Sequence, residues 1–405
     1  MIGSGPVIMK NNRWFKLFIL QCCAVTVSIS QLKISAAMNQ TAEEFHISIN
    51  AAAGLVSFFT IAGIILALPG AFLMKRIGAK KLLALLMGCL CIGNLTGAMA
   101  ERYHILMAGR VLEGVAYAMI IMTGMDLIHC WFRERDEGIA IGIFNTFAAM
   151  GNFIVFNGVL PLIERWSVRS LWWITAVFSV LNLVFVLMFI SDEGEKGTEN
   201  VEKDLQENNK CLRKMQNKGS LLCLGGVQML TAFVLFGFIT CYPLLFTEYY
   251  HVAAKKANFY AGLNGLFGIP ACILCGVLTE KTKRPHIIAK VGVAGTLAAA
   301  STVLLLVPQT YLIHVLASAV FPGGFVMTSV FCMVPHIAGS TENIGYCSAV
   351  VNLFYYIGVF LSTPVLVKAM QGNWIYVPLI MAFTALAAGM LLWACISMMR
   401  SGEEQ

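Results

Sequence analysis

Three ionisable residues stand inside apolar sequence, where a charge is expensive. Arg110, Glu113 and Gly114 occur in GRVLEGVAYA, and Lys33 occurs in SISQLKISAAM. Spacings of three and four put Arg110, Glu113, Gly114 and Tyr117 on one face of a helix. A lone charge at the centre of a membrane helix costs about 2.5–3.5 kcal/mol on insertion scales. Arg110 and Glu113 lower that penalty for each other as an ion pair within one helix, and the same face also suits the lining of a water-filled path. Lys33 forms a polar stripe with Thr26 and Ser30, with Gln31 beside it. Its stem either snorkels to the nearby interface or, since ISAAM continues the apolar run, stays at the depth of Arg110. Two cations converging from neighbouring helices need an anion between them. Glu113 is expected to neutralise one, and a small anionic ligand the other. Lys33, Arg110, Gln31 and Tyr117 are therefore expected to bind an anion, and Glu113 to exchange a proton.

The elements that position these groups follow from composition. Hydrophobic residues make up 58% of the 405 positions and charged residues only 12%, about half the charge of an ordinary soluble domain. An ordinary cytosolic enzyme, a disordered chain and a nucleic-acid binder are all excluded. Apolar runs fall near 14–38, 48–73, 80–100, 105–128, 138–161, 169–190, 220–247, 257–279, 286–307, 310–335, 343–367 and 374–398. Each is long enough to cross the ~20-residue hydrocarbon layer. This predicts an all-α membrane protein with twelve transmembrane helices in two pseudo-symmetric six-helix bundles. One bundle is expected at 1–190 and the other at 220–405, joined by a polar linker at 191–219. The first run is too long for a signal-peptide core and lacks a small-residue cleavage site, so it is read as a retained helix.

Net charge is +7, but the 28 Lys and Arg residues lie in short gaps between apolar runs. Placing the N-terminus inside leaves only Arg102, Arg165, Arg169, Lys255, Lys256 and Lys368 outside. By the positive-inside rule both termini are then cytoplasmic. The halves also echo each other: PGAFLMKRIGAKK (69–81) follows the second run and CGVLTEKTKRP (275–285) the eighth. A repeated six-span unit is characteristic of transporters.

Weaker signals complete the reading. Gly78 after Arg76 permits a tight interhelical turn, and Asp126 with Arg133 suits a salt bridge at the inner end of the fourth span. Asn264 and Asn352 are the leading intramembrane amides for a cavity role, although each equally suits a bond between helices. His314 and His336, near span ends, carry no assigned role. Gly323 and Gly324 after Pro322 allow a helix to bend. Cys272 and Cys275 form a C-x-x-C without flanking His or charge and read as packing. No Walker loop, HExxH or nucleophile elbow occurs, so neither an enzyme nor a cofactor is expected.

The twelve-span plan with these motifs resembles the major facilitator superfamily along nearly the whole chain. Arg110, Glu113 and Gly114 match the R-x-x-[QE]-G of its fourth helix. Arg76, Gly78 and Lys80 match part of its loop motif between helices two and three. Gly276, Glu280, Lys281 and Arg284 match the related loop of the second half. FRERDEGIAIGIFNT (132–146) resembles the entry to its fifth helix. The segment at 30–70 is similar to the cyanate and nitrate/nitrite permease-like branch, where Gln-x-Lys closes helix one.

The resemblance implies gating roles for Arg76, Gly78, Glu280, Arg284, Asp126 and Arg133. Lys75 stands where the family's loop motif has Asp, which would invert a gating charge network, and Glu280 is expected to take over that role. No proline follows the glycines at 142 and 151, which argues against a proton-antiport drug exporter. The expectation is a monomeric secondary transporter in a bacterial inner membrane, carrying a small organic or cyanate-like anion by alternating access in symport with protons. Its partners are then the anion, protons and the lipid bilayer. A drug or cation exporter of the same fold, and a non-transporting sensor or scaffold, are the rival readings.

Overall fold

A computed structural model of the chain describes residues 12–67, 69–132, 140, 143–144, 146–190, 218–339 and 341–403. The described residues are almost wholly helical and contain no strand. They fall into two compact units, Met1–Ile47 with Phe58–Val201 and Ser48–Ser57 with Glu202–Gln405. The linker expected at 191–219 lies outside the described residues except for its last two positions, which are already helical.

The first unit is built from α1 (Arg13–Ala36), α2 (Met38–Glu44), the second half of α3 (Ile49–Leu66), α4 (Gly70–Ile77), α5 (Ala79–Ala98), α6 (Tyr103–Phe132), α7 (Phe147–Arg165) and α8 (Ser170–Phe189). Asn12 caps α1, its side-chain oxygen accepting from the backbone of Trp14 at 3.0 Å and Phe15 at 3.4 Å, which satisfies donors that a helix start leaves open. Ala37 departs from helical geometry, so the run expected at 14–38 ends as α1 and restarts as the short α2. The run at 48–73 likewise divides, into α3 and α4. Gly78 between α4 and α5 has φ +85°, a conformation open to a residue without Cβ. Of the run at 138–161, only the part from Phe147 is described as a continuous helix.

The second unit takes in the start of α3, where Asn50 donates to Gln371 at 2.6 Å and Ser57 to the Phe360 carbonyl at 2.5 Å. Its helices are α9 (Lys218–Leu244), α10 (Ala254–Thr282), α11 (Pro285–Thr302), α12 (Tyr311–Ala319), α13 (Thr328–Ala338), α14 (Thr341–Gly372) and α15 (Tyr376–Glu403). Pro285 opens α11, where a missing N–H costs nothing. Two stretches are π-helical: Leu245–Tyr249 after α9, and Val320–Met327 between α12 and α13. The second contains Pro322, Gly323 and Gly324, so the bend expected there takes the form of a widened turn. Gly324 also lies against Ala271 of α10 so closely that a Cβ would fall 2.5 Å from that methyl group.

Among the described residues, eleven helices or helical runs are long and apolar enough to cross a membrane. The twelfth expected span is α11, whose His286, Lys290 and many small residues keep it out of that set. Large apolar side chains such as Phe18, Phe178, Leu187, Phe383 and Trp393 face outward, as a hydrocarbon solvent requires. Prolines sit inside α7, α9, α10, α13 and α14.

In the first unit, α5 and α6 meet through glycine. A Cβ on Gly93 would lie 2.7 Å from the Gly109 carbonyl and 2.8 Å from Cγ of Glu113. Gly93→Ala is therefore expected to force the helices apart and cost about 1–3 kcal/mol. Gly158→Ala, with nothing within 4 Å of the added methyl, is expected to leave stability unchanged. Melting temperatures of the two purified variants check the contrast.

Candidate functional site

Lys33, Arg110 and Glu113 meet inside the first unit, each 0–1% exposed. Lys33 Nζ lies 3.0 Å from Glu113 Oε1, and Arg110 Nη1 lies 2.5 Å from Glu113 Oε2. One carboxylate thus takes a cation on each oxygen. This corrects the expectation that Glu113 serves one cation and leaves the other for a ligand. It also sets aside snorkelling for Lys33, whose ammonium points into the helices and not to an interface.

The supporting hydrogen bonds come from three further side chains and three carbonyls. Lys33 Nζ donates to Asn94 Oδ1 at 2.6 Å and to Ser30 Oγ at 3.4 Å. With Glu113 these account for all three ammonium protons. Ser30 donates to Glu113 Oε2 at 2.6 Å. Arg110 reaches the Ser30 carbonyl at 2.7 Å and the Gln31 carbonyl at 3.2 Å. Thr175 of α8 donates to Asn94 Oδ1, and Asn94 Nδ2 returns to the Leu90 carbonyl at 2.7 Å. Aromatic faces close the cluster: the Lys33 ammonium lies 4.8 Å from the Trp172 ring and the Arg110 guanidinium 4.4 Å from the Phe59 ring. Such cation–π contacts gain strength when desolvated.

Two positive groups and one negative group leave a formal charge of +1. Two buried donors in the residues that build this cluster have no hydrogen-bond partner among the described residues: Gln31 Nε2 and Trp172 Nε1. The arrangement has surplus positive charge and spare donors, the complement of an anion.

The remaining candidates sit elsewhere. Tyr117 is buried, with its ring 5.3 Å from Phe59. In the second unit, Asn264 is buried and donates to Ser318 at 2.8 Å, while Asn352 on α14 is half-buried. Arg76 is exposed at the end of α4, Gly78 makes the turn after it, and Arg284 is exposed immediately before α11. Asp126 is half-buried on α6. The side chains of Lys75 and Glu280, and Arg133 altogether, lie outside the described residues, so the expected Asp126–Arg133 bridge does too.

Sequence reasoning missed Asn94, Thr175 and Trp172. A solitary amide in the apolar run GCLCIGNLTGA, next to a glycine that admits a neighbouring helix, was the available signal. It also missed His314, given no role because it lies near a span end. That ring is buried, with Nδ1 2.9 Å from the Tyr242 hydroxyl and Nε2 2.9 Å from the Ala299 carbonyl.

Bundled helices of membrane-spanning length, holding a desolvated charge cluster in their interior, define a multi-pass membrane protein. The chain belongs to the Major Facilitator Superfamily, a family of transporters and not of enzymes, whose family model matches residues 17–363. A galacturonate transporter of Dickeya chrysanthemi is 22% identical over 187 residues, 45% of this chain and 52% of that protein. The hexuronate transporter of Escherichia coli K12 is 21% identical over 294 residues, 68% and 67% of the two chains. The chain thus spans from about half to two thirds of the length of these relatives. The fold matches that of a bacterial homologue of the human lysosomal transporter Spinster, solved inward-facing and unoccupied, with TM-score 0.72 and 15% identity over 96% of this chain and 94% of that one.

The cluster predicts an asymmetry between its members. Lys33→Met leaves Arg110 paired with Glu113, whereas Glu113→Gln leaves two buried cations without a counter-charge. Breaking a buried pair by removing one partner typically costs about 3–5 kcal/mol. The melting temperature is expected to fall much further for Glu113→Gln than for Lys33→Met.

Proposed function

We propose that this protein is a secondary transporter for a small organic anion recognised through a carboxylate, working by alternating access in symport with a proton. The observation that carries the reading is the single carboxylate shared by two buried cations. Every strong acceptor of Lys33 and Arg110 in the cluster is a protein group, so an incoming anion must take the place of Glu113. Protonating Glu113 removes its charge and frees both cations for a ligand carboxylate. The charge before is two positive and one negative; after exchange it is again two positive and one negative. Proton and anion therefore enter together without changing the electrostatic energy of the buried site to first order. A proton carried with the anion also offsets the inside-negative potential, which opposes an anion by about 2.3 kcal/mol per charge per 100 mV.

The spare donors of Gln31 and Trp172 support an acceptor-rich ligand. The two relatives, a galacturonate and a hexuronate transporter, favour a sugar acid over a cyanate-like ion. Lys33, Arg110 and Gln31 are the proposed binding groups, with Tyr117 on the same helix face and Glu113 as the proton-coupling group. Arg76, Gly78, Glu280, Arg284, Asp126 and Arg133 are retained as proposed gating residues, and Asn264 and Asn352 as secondary contacts. The charge bias of the loops supports cytoplasmic termini, and a bacterial inner membrane and a functional monomer are part of the same proposal.

Ligand stabilisation of the purified protein tests this reading, because a ligand at about 100 times its Kd stabilises the folded state by about 2.7 kcal/mol. Galacturonate is expected to raise the melting temperature and neutral galactose to leave it unchanged. Lys33→Gln is expected to remain folded and to lose the response to galacturonate. Stabilisation by both sugars alike, or a Lys33→Gln protein that accumulates the anion at the normal rate, would overturn the proposal.

A further inference from the structure

The second unit holds a buried titratable group that the anion site does not use. His314 of α12 stands between Tyr242 of α9 and the Ala299 carbonyl of α11, each 2.9 Å away. A carbonyl only accepts, so Nε2 carries the ring proton. Nδ1 is then the lone pair of a neutral imidazole, and Tyr242 donates to it. Phe238 covers the ring edge-on at 5.6 Å between centroids and stacks on Tyr242 at 5.4 Å.

The bonds of the pair are all to neutral groups among the described residues. The titratable groups facing the pair are phenols: Tyr242 from α9, Tyr311 one turn earlier on α12, and beyond Phe246 the rings of Tyr250 and of Tyr260 on α10. From α11 comes only the Ala299 carbonyl. No Asp, Glu, Lys or Arg bonds to His314, Tyr242, Ser318 or Asn264 among the described residues. An imidazolium formed in this packing would have no counter-charge, and Tyr242 would lose its acceptor. The proton on Nδ1 would point at the phenol oxygen, and the phenol proton would have to turn to another acceptor, for which Ser318 on the same helix as His314 is the candidate. Ser318 already donates to the Val315 carbonyl at 2.9 Å and accepts from Asn264 at 2.8 Å, so it has one lone pair left for that purpose.

Both helices leave α geometry beyond the pair. Tyr242 precedes the π-helical Leu245–Tyr249 by three residues, and His314 precedes the π-helical Val320–Met327 by six. Such widened turns are weak points in a helix and recur at functional sites.

We propose that His314 is a second proton-binding site of this transporter, held neutral while Tyr242 is bonded to it and protonated on Nδ1 when α9 and α12 part at their π-helical joints. The proton comes from water that reaches the ring on parting; one N–H bond forms on Nδ1, and one O–H bond of hydronium breaks. The proposal concerns a different unit from the Lys33 cluster and does not depend on the cargo being an anion.

Nitrogen-15 histidine spectra of the full chain in lipid nanodiscs test it directly, without any transport measurement. His314 is expected to show the neutral Nε2–H form at about pH 8 and to convert to imidazolium as the pH falls toward about 5, the range in which histidine ordinarily titrates. Tyr242→Phe keeps the ring packing and removes the donor that favours neutral Nδ1. It is expected to assign the resonance and to tighten proton binding about fivefold, the worth of one neutral hydrogen bond. A ring that stays neutral over the whole range in both proteins would show a structural pin and overturn the proposal. So would identical titration of wild type and Tyr242→Phe. In proteoliposomes, His314→Gln is expected to flatten the pH profile of uptake. An unchanged profile in a folded His314→Gln protein would also overturn it, while absence of any uptake by the wild type would refute the transporter reading and leave the spectroscopic result standing.

Discussion

The Glu113 carboxylate, shared between the Lys33 ammonium and the Arg110 guanidinium, is the constraint on which the first unit depends. Neither cation has solvent, and a buried charge is stable only when paired and hydrogen-bonded. Meeting that requirement draws in four helices. α1 supplies Lys33, Ser30 and the carbonyls of residues 30 and 31; α5 supplies Asn94; α6 supplies Arg110 and Glu113; α8 supplies Thr175 and Trp172. The glycine contact between α5 and α6 follows from the same need. Without Gly93 beside Gly109 and Glu113, the two helix axes could not approach closely enough for Asn94 and Glu113 to face one ammonium.

Much of this was legible in the sequence, and what escaped did so for a definable reason. The i, i+3 spacing of Arg110 and Glu113, and of Ser30 and Lys33, predicts correctly which side chains share a helix face. It says nothing about how one helix is rotated against the next. In a soluble protein an apolar stripe would answer that question, but α1 is apolar on nearly every side and buried over most of its length. The pair within α6 was therefore visible, and the second contact of Glu113, across to α1, was not. Asn94 escaped for the same reason, as a single amide whose partners lie on two other helices.

Helix boundaries show the complementary lesson. Hydropathy located the apolar runs but could not divide the first of them, because Ala37 between α1 and α2 is itself apolar. The Pro322-Gly323-Gly324 stretch showed itself by residue type, which allowed a bend without giving its form. Lys290 and His286 in α11 had the opposite effect, lowering the hydropathy of a helix that is nonetheless formed. His314 was passed over because distance from a span end is a poor guide to burial when aromatic side chains pack around that end.

The two units have solved the problem of a buried polar group by different means, and the difference bears on how each can respond to a proton. In the first unit the groups are charged, and the surplus positive charge and spare donors make the arrangement receptive to an anion. Neutralising Glu113 there leaves a deficit of negative charge that only another anion can fill. In the second unit the groups are neutral, and each hydrogen bond is matched donor to acceptor with one lone pair of Ser318 in reserve. Adding a proton there creates no vacancy for a ligand; it reverses a hydrogen bond and leaves an uncompensated charge that can be relieved only by admitting water. On the two proposals above, the same event, one proton taken up, would favour ligand binding in the ionic cluster and loosening of packing in the neutral one.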